Sequence, residues 1–512
     1  MITTVDELEL YYLQYIDSLQ QEDMKNVQLC RDYYQGEQVV FLTERMKEFL
    51  QLHKSAVTFR LNICKTIVAA LMDELTLEGF TTSEDGESKP VAQWAADVYR
   101  KNKLDEMQER IHEAALVDRE TFVIVEWDEE KKYPRIVHNE LFVDNDMGIN
   151  GNAYGCVAIY SESNPNELSA VVKQWVETVV NSNGQPRTRR RRTVYYPDRI
   201  ERFFYDSGWK EYVEDGQPFP VPLTDGSGKP IGINVAHFRN NGDQSEIWEV
   251  IPNQDVINKI ALDVLGISDM SSFSTIFVSG FEPVDANGDP IQLEPMQMWG
   301  TTNADGNAQK MDASDVTPIV NTLMSWVALT ANLTGTPVSR FIMSGQIAGS
   351  ETLKEQDKPL QKKAARRRVS LGNSWEEVMN IARRFANAYG AAGLDEDVAI
   401  ESNWRMEYTP EQLNNLKEYG VPPEFIWAKA GLSKDEIDAI KETDEYRINL
   451  KSKIWQAVGA SNAEPVPAES ILSDFGYSPE ELAQFATQRM NAIALAQADV
   501  LPEGIDDGNA TA

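Results

Sequence analysis

The sequence predicts an α+β protein of several domains, on three observations. Stretches near the start, in the middle and toward the end repeat apolar residues every three or four positions, the helical period. A block beginning at Thr121 switches to period two, the mark of strands with one covered face. Two of the helical stretches flank a turn-rich insert. At 512 residues the chain exceeds one compact core, and its length fits roughly three or four domains. Its 42% hydrophobic content supplies a sizeable core.

In chain order, Leu8, Tyr11, Tyr12, Tyr15, Ile16 and Leu19 form one helical stripe. A second helix ends at Gly36 after Arg31-Asp32-Tyr33-Tyr34-Gln35, where glycine suits a C-cap. Its tyrosines read as core residues with hydroxyls at the surface. Arg60-Leu61-Asn62 leads into a helix over 63–75, which exits through Leu77-Glu78-Gly79-Phe80. Residues 81–89 are a polar linker. Helices follow over 92–99 and 104–119, the second with Ile111, Ala115 and Leu116 on one face. Phe122, Ile124 and Glu126-Trp127 alternate as a strand, and 135–143, 153–160, 172–180, 193–197 and 199–205 continue the antiparallel, aromatic-rich block.

The chain is organised around residues 251–371. Over 253–273, Val256, Ile257, Ile260, Ala261, Val264 and Leu265 fall on one helix face, opposite Asn258, Lys259, Asp263 and Asp269. Over 314–334, Val316, Ile319, Val320, Leu323, Val327 and Leu329 recur likewise; Ser314-Asp315 is the expected cap, and Gly335 and Pro337 close the helix. Between them, 281–312 is rich in turns, with short strands expected over 275–278 and 309–311. A loop with a flexible patch at 343–349 leads to a long charged helix over 350–389, carrying Pro359 near its start. From Glu407 the pattern stays helical with breaks at Gly420, Gly431, Gly459 and 465–467, and 498–512 lacks hydrophobic periodicity.

That order of parts resembles the portal proteins of tailed double-stranded-DNA bacteriophages, of the siphophage type. Ile251-Pro252-Asn253 before Ile257-Asn258-Lys259 resembles the entry to the family's first stem helix. Asn332-Leu333-Thr334-Gly335-Thr336-Pro337 is similar to the end of its second, and Gly349-Ser350-Glu351-Thr352-Leu353-Lys354 to the start of its long helix, with Thr352 where alanine is commoner. The resemblance implies a wing over 1–252, stem helices over 253–274 and 314–335, a small α/β clip over 275–313 and a tunnel loop over 336–349. A long helix and wing return over 350–404, a helical crown over 405–498 and a disordered tail over 499–512 complete it. It implies a virion protein, assembled in the host cytoplasm as a ring of twelve copies at one capsid vertex. The ring would conduct double-stranded DNA in packaging and ejection. The terminase large subunit or packaging motor, head-completion adaptors, and the major capsid and scaffolding proteins are the implied partners. No cofactor, metal or membrane is implied.

Site residues follow from that expectation. Val338, Ser339, Arg340, Phe341, Ile342, Met343, Ser344, Gly345 and Gln346 would form the tunnel loop, although apolar side chains in a loop equally suit a plug into the subunit's own core. Asp255, Asp263 and Asp269 are candidates for a channel-facing acidic stripe, or for solvent-facing residues outside the ring. Met296, Met298 and Trp299 are candidates for docking on the clip, and Lys354, Lys358, Lys362 and Arg366 for a subunit contact or, second, a DNA contact. Two other classes remain: a head–tail adaptor or minor capsid protein, and an unrecognised enzyme.

Charge decides little between these classes, and the motifs narrow the choice. With 48 basic and 81 acidic residues the net charge is −33, which argues against general nucleic-acid binding. It fits a conduit, whose wall must not grip the passing phosphates. Cys30, Cys64 and Cys156 are far apart and form no CxxC, as expected in a reducing compartment. The N-terminus shows no signal-peptide pattern. The strongest apolar run, 67–72, is far below the roughly 20 residues of a membrane span. Asp225-Gly226-Ser227-Gly228-Lys229-Pro230 lacks the upstream Walker glycine and the magnesium-holding hydroxyl, so it reads as a turn. Asp144-x-Asp146-x-Gly148-x-Asn150 misplaces the glycine of a calcium loop and has Gly155 where the bidentate glutamate belongs. His53, His112, His138 and His237 are isolated, so no zinc site is expected. Arg187, Arg189, Arg190, Arg191 and Arg192 follow Gly184-Gln185-Pro186. They suggest a solvated hairpin guarding a strand edge, or else a patch for an acidic partner or nucleic acid.

Overall fold

The computed structural model describes residues 17–38, 61–84, 89–139, 156–161, 163–180, 184–213, 216–272, 276–279, 305–310, 315–341, 350–405, 413, 416–418, 421–429, 437 and 439–441. The chain divides into two compact units, Met1–Arg405 and Met406–Ala512.

The first unit opens with α1 (Asp17–Gln35), which stops where Gly36 takes φ +74°, a left-handed value that glycine reaches without steric cost. Helix α2 (Ile63–Met72) starts under Asn62, whose side chain accepts the Lys65 amide at 3.1 Å. Strand β1 (Leu77–Thr82) follows. Helix α3 (Pro90–Lys101) has proline in its first turn, and the amides of Val91 and Ala92 donate to the Glu84 carboxylate at 3.0 and 2.9 Å. Helix α4 (Leu104–Val117) buries Ile111, Ala115 and Leu116 together, as their spacing predicts.

Strands β2 (Glu120–Asp128) and β3 (Tyr133–Asn139) pair antiparallel. An outer sheet then forms from β4 (Cys156–Tyr160), β5 (Leu168–Val180), β6 (Pro186–Tyr195), β7 (Arg199–Tyr205) and β8 (Trp209–Glu211) in that spatial order, with β9 (Val221–Pro222) on β7. Strand β10 (Val235–Arg239) joins the far side of β2. The period-two reading of β2 is corrected here: all five residues over 121–125 are buried. Consecutive strand residues face opposite ways, so both faces are covered. Helix α4 packs on this sheet, and so does a long helix from later in the chain.

The arginine cluster also departs from expectation. Strand β6 is not an edge: β5 flanks it along its whole length and β7 pairs its second half. Arg191 and Arg192 are each only 4% exposed. Sequence spacing cannot reveal this, because a run of five cations in six positions reads as solvated unless aromatic partners from other strands are known to cover it. The stretch over 225–230 is a turn, with the Asp225 carboxylate accepting the Ser227 and Lys229 amides.

Helix α5 (Ile251–Ser272), strands β11 (Ile276–Ser279) and β12 (Asn307–Lys310), and helix α6 (Thr317–Thr334) make a helical hairpin with an antiparallel strand pair between its arms. Helix α7 (Ser350–Gly390) runs through Pro359 and crosses β10, β2 and β3. Its Trp375 is fully buried, edge-on to Phe238 with ring centroids 5.1 Å apart. The Trp375 Nε1 donates to His112 Nε2 at 2.9 Å, so the His112 proton sits on Nδ1, 3.0 Å from the Leu75 carbonyl. Burial pushes that imidazole down to about 4, which keeps it neutral and in this tautomer. Strand β13 (Ile400–Trp404) returns to pair with β1, Leu77 opposite Trp404. Glycine is required at position 372 of α7, because a Cβ there would lie 2.6 Å from the Ser402 Oγ.

In the second unit the described structure includes α8 (Pro423–Lys429). The stripe residues over 8–16, the calcium-like stretch over 144–150 and the tail lie outside the described residues. No described helix is long and apolar enough to cross a membrane.

Candidate functional site

The hairpin is anchored at its base by polar groups. Gln254 and Asn258, one turn apart on α5, are 0% and 2% exposed. The Gln254 Oε1 accepts the Ile63 and Cys64 amides at 2.8 and 3.3 Å, and the Asn258 Oδ1 accepts the Leu61 amide at 3.1 Å. These are amides that the start of α2 would otherwise leave unpaired. Apolar spacing alone puts Asn258 on the solvent face with Lys259 and Asp263; the demand of α2 for acceptors turns it inward instead. The signal in the sequence is the four-residue spacing of Gln254 and Asn258, which places both on the face of Ile257 and Ala261.

The same face bias separates the three aspartates. Asp255 accepts the Tyr33 hydroxyl at 2.6 Å from α1. Burial first, and then that carboxylate, hold the Tyr33 hydroxyl above its usual range. Asp263 is half-exposed and pairs with Lys259 at 3.0 Å. At about 100° per residue these two positions lie roughly 80° apart around the helix. Nothing is described of the Asp269 side chain.

Helix α6 turns four of its hydroxyls onto its own backbone. Thr322, Ser325, Thr330 and Thr334 each donate to the carbonyl four residues back, at 2.8–2.9 Å. With those hydroxyls turned onto the backbone, the outer surface, which also carries Asn321 and Asn332, becomes less polar than its sequence suggests. Of the expected stripe only Val327 is buried; Val316, Ile319, Val320 and Leu323 are half-buried and Leu329 is exposed. Met324, Leu329 and Leu333 are 43%, 46% and 68% exposed. Leu333 carries the largest exposure of the three and falls outside the stripe that spacing predicts. The helix opens with the Asp315 carboxylate accepting the Thr317 amide at 2.9 Å and closes at Gly335, φ +68°.

Behind the hairpin, Val338–Arg340 form a 3-10 turn. Phe341 packs against the main core of its own subunit. Arg340 pairs with Asp73, at the end of α2, at 2.8 Å. Ile342, Met343, Ser344, Gly345 and Gln346 lie outside the described residues, as do Met296, Met298 and Trp299.

The basic start of α7 divides by face. Lys363 and Arg367 reach the buried Glu246 carboxylate at 2.7 and 2.5 Å, and Arg368 donates to the Glu74 carbonyl at 2.9 and 2.7 Å. These cations serve their own subunit rather than a neighbour. Lys358 pairs with Glu355. Lys362 and Arg366, one turn apart, are exposed and have no ion pair among the described residues. The side chain of Lys354 is outside them. Among the described residues no group of three or more His, Cys, Asp or Glu is placed to hold a metal.

The organising feature is therefore a helical hairpin with exposed apolar residues on an α+β body. The chain matches the family described as phage portal protein, SPP1 Gp6-like, over residues 13–449, and it belongs to that family. Members are structural proteins of the virion, found as homo-oligomeric rings at a capsid vertex. No curated protein matches the chain in sequence.

Proposed function

We propose that the chain closes into a ring of twelve copies around a channel for double-stranded DNA, used inward in packaging and outward in ejection. The observation that supports this most is the uncovered apolar surface of α6. A two-helix hairpin cannot bury Met324, Leu329 and Leu333 by itself, and a neighbour in a cyclic array can, through two different faces of each subunit. In this reading residues 1–252 are the wing, 275–313 the clip and 405–498 the crown. The clip, with Met296, Met298 and Trp299, docks the packaging motor and later the head-completion proteins. Capsid and scaffolding proteins meet the wing. Lys354, Lys358, Lys362 and Arg366 supply a second subunit contact. Class-average images of the purified protein test the reading: a ring with a central hole supports it, and a compact monomer overturns it.

Of the acidic candidates Asp255, Asp263 and Asp269, the half-exposed Asp263 is the one proposed to face the channel. Changing Asp263 to Lys is expected to slow DNA passage at low salt and less at high salt, because screening removes the added attraction. A packaging rate indifferent to both would exclude a channel position.

The loop over 338–348 forms the constriction in the same proposal. Its first residues favour a loop anchored to its own subunit, since Phe341 is packed on the core and Arg340 is held by Asp73. Deleting 339–345 should leave rings intact and alter packaging or DNA retention. Arg340→Ala should change stability by less than about 1 kcal/mol, the worth of an exposed pair. A deletion that unfolds the monomer would assign the segment to the core instead.

A further inference from the structure

We infer that the arginine end of the outer sheet is a docking surface for an acidic face of a neighbouring copy of this chain. Side chains alternate along β6. Arg187, Arg189 and Arg191 share one face with Trp175, Glu177 and Phe204, while Arg190 and Arg192 share the other with Tyr205. Each buried or half-buried guanidinium lies on a ring. Arg189 covers Phe204 at 5.1 Å, Arg190 covers Tyr205 at 5.4 Å, Arg191 covers Tyr212 at 3.3 Å, and Arg192 covers Trp209 at 4.0 Å. The rings restrain the guanidiniums in advance, so less freedom is lost when an exposed one binds an oxyanion. Exposure then grades along the strand: Arg191 and Arg192 are buried, Arg189 and Arg190 half-buried, Arg187 exposed. At that end Val180 on β5, which pairs with Pro186, is 70% exposed.

The oxyanion is a carboxylate rather than a nucleic-acid phosphate. Glu177 already accepts from Arg189 and, at 3.1 Å, from Arg191, so the sheet demonstrates the pairing it makes. Residues 156–222 hold nine basic and nine acidic side chains. The segment as a whole is balanced, which gives little long-range attraction for a polyanion, whereas a forked pair with one carboxylate needs none. The remainder of the chain carries 39 of the 48 basic and 72 of the 81 acidic residues, so a second copy offers carboxylates in excess of cations.

This rests on the ring reading, and the experiment separates the two. Full-length wild-type protein, Arg187→Glu, and Arg187→Glu with Arg190→Glu are compared for fold by circular dichroism and for assembly by light scattering across a salt series. Both variants should stay folded, and the concentration for half assembly should rise on the order of tenfold in the double variant. The wild-type ring should itself loosen with salt. If the double variant is unfolded, Arg187→Glu alone decides, since Arg187 is exposed. Wild-type rings with unaltered assembly of the folded variants overturn this inference alone; no wild-type ring overturns the ring reading. Loss of binding to a short DNA duplex with assembly unchanged also overturns it, in favour of phosphate.

Discussion

Leu333→Asp is expected to abolish ring formation while the subunit stays folded. At 68% exposed, Leu333 contributes little to the isolated subunit, and a surface substitution there should shift stability by no more than about 0.5 kcal/mol. In the ring proposed above the same position would be covered by a neighbour. A carboxylate buried without a partner costs several kcal/mol, and the cost recurs at each subunit contact. Light scattering should give a monomer mass with the wild-type melting temperature. Leu329→Asp, from a position 46% exposed, should act in the same direction. Rings of unchanged mass from both variants would place the interface off α6.

The second large effect concerns Glu246. Its side chain is 3% exposed and takes Lys363 and Arg367, with the Asn240 side-chain amide at 3.0 Å. Burial alone would raise its carboxyl; the two cations outweigh that and hold it below the ordinary carboxylate range. Glu246→Gln leaves both cations near a neutral site, and breaking such a buried pair costs about 3–5 kcal/mol. The sign with pH follows from the lowered carboxyl. Its contribution is present above the unfolded carboxylate range and is lost as pH falls through the folded one. The stability gap between wild type and Glu246→Gln, read by urea unfolding, should therefore be wide at neutral pH and narrow in acid. A gap of equal width at both would remove the ion pair as its cause.

What is legible in the sequence is local. The arms of the hairpin and the long helix are set by apolar period and by the glycine stop at Gly335, and α5, α6 and α7 lie within a few residues of the expected bounds. The strand pair between the arms is likewise visible as short runs between turns. What is not legible depends on distant partners. Nothing near Leu77 announces Trp404, and no pattern marks β10 as a strand. The arginines of β6 look solvated in the sequence because Tyr212, Trp209 and Phe204 reach them from other strands. Asn258 looks solvent-facing because the amide it satisfies belongs to Leu61.

The pairing of β1 with β13 sets an order of events during synthesis. Leu77 emerges early from the ribosome, and its partner Trp404 emerges only after the outer sheet, the hairpin and α7. At about 5–20 residues per second the interval is on the order of tens of seconds. Throughout it β1 lacks its strand partner, and over the last part of it, once Thr334 has been added, the apolar flank of α6 is already made. A nascent chain thus carries its adhesive surface before the seam that completes its body has closed, and dilution between neighbouring ribosomes becomes a condition for yielding single subunits rather than aggregates.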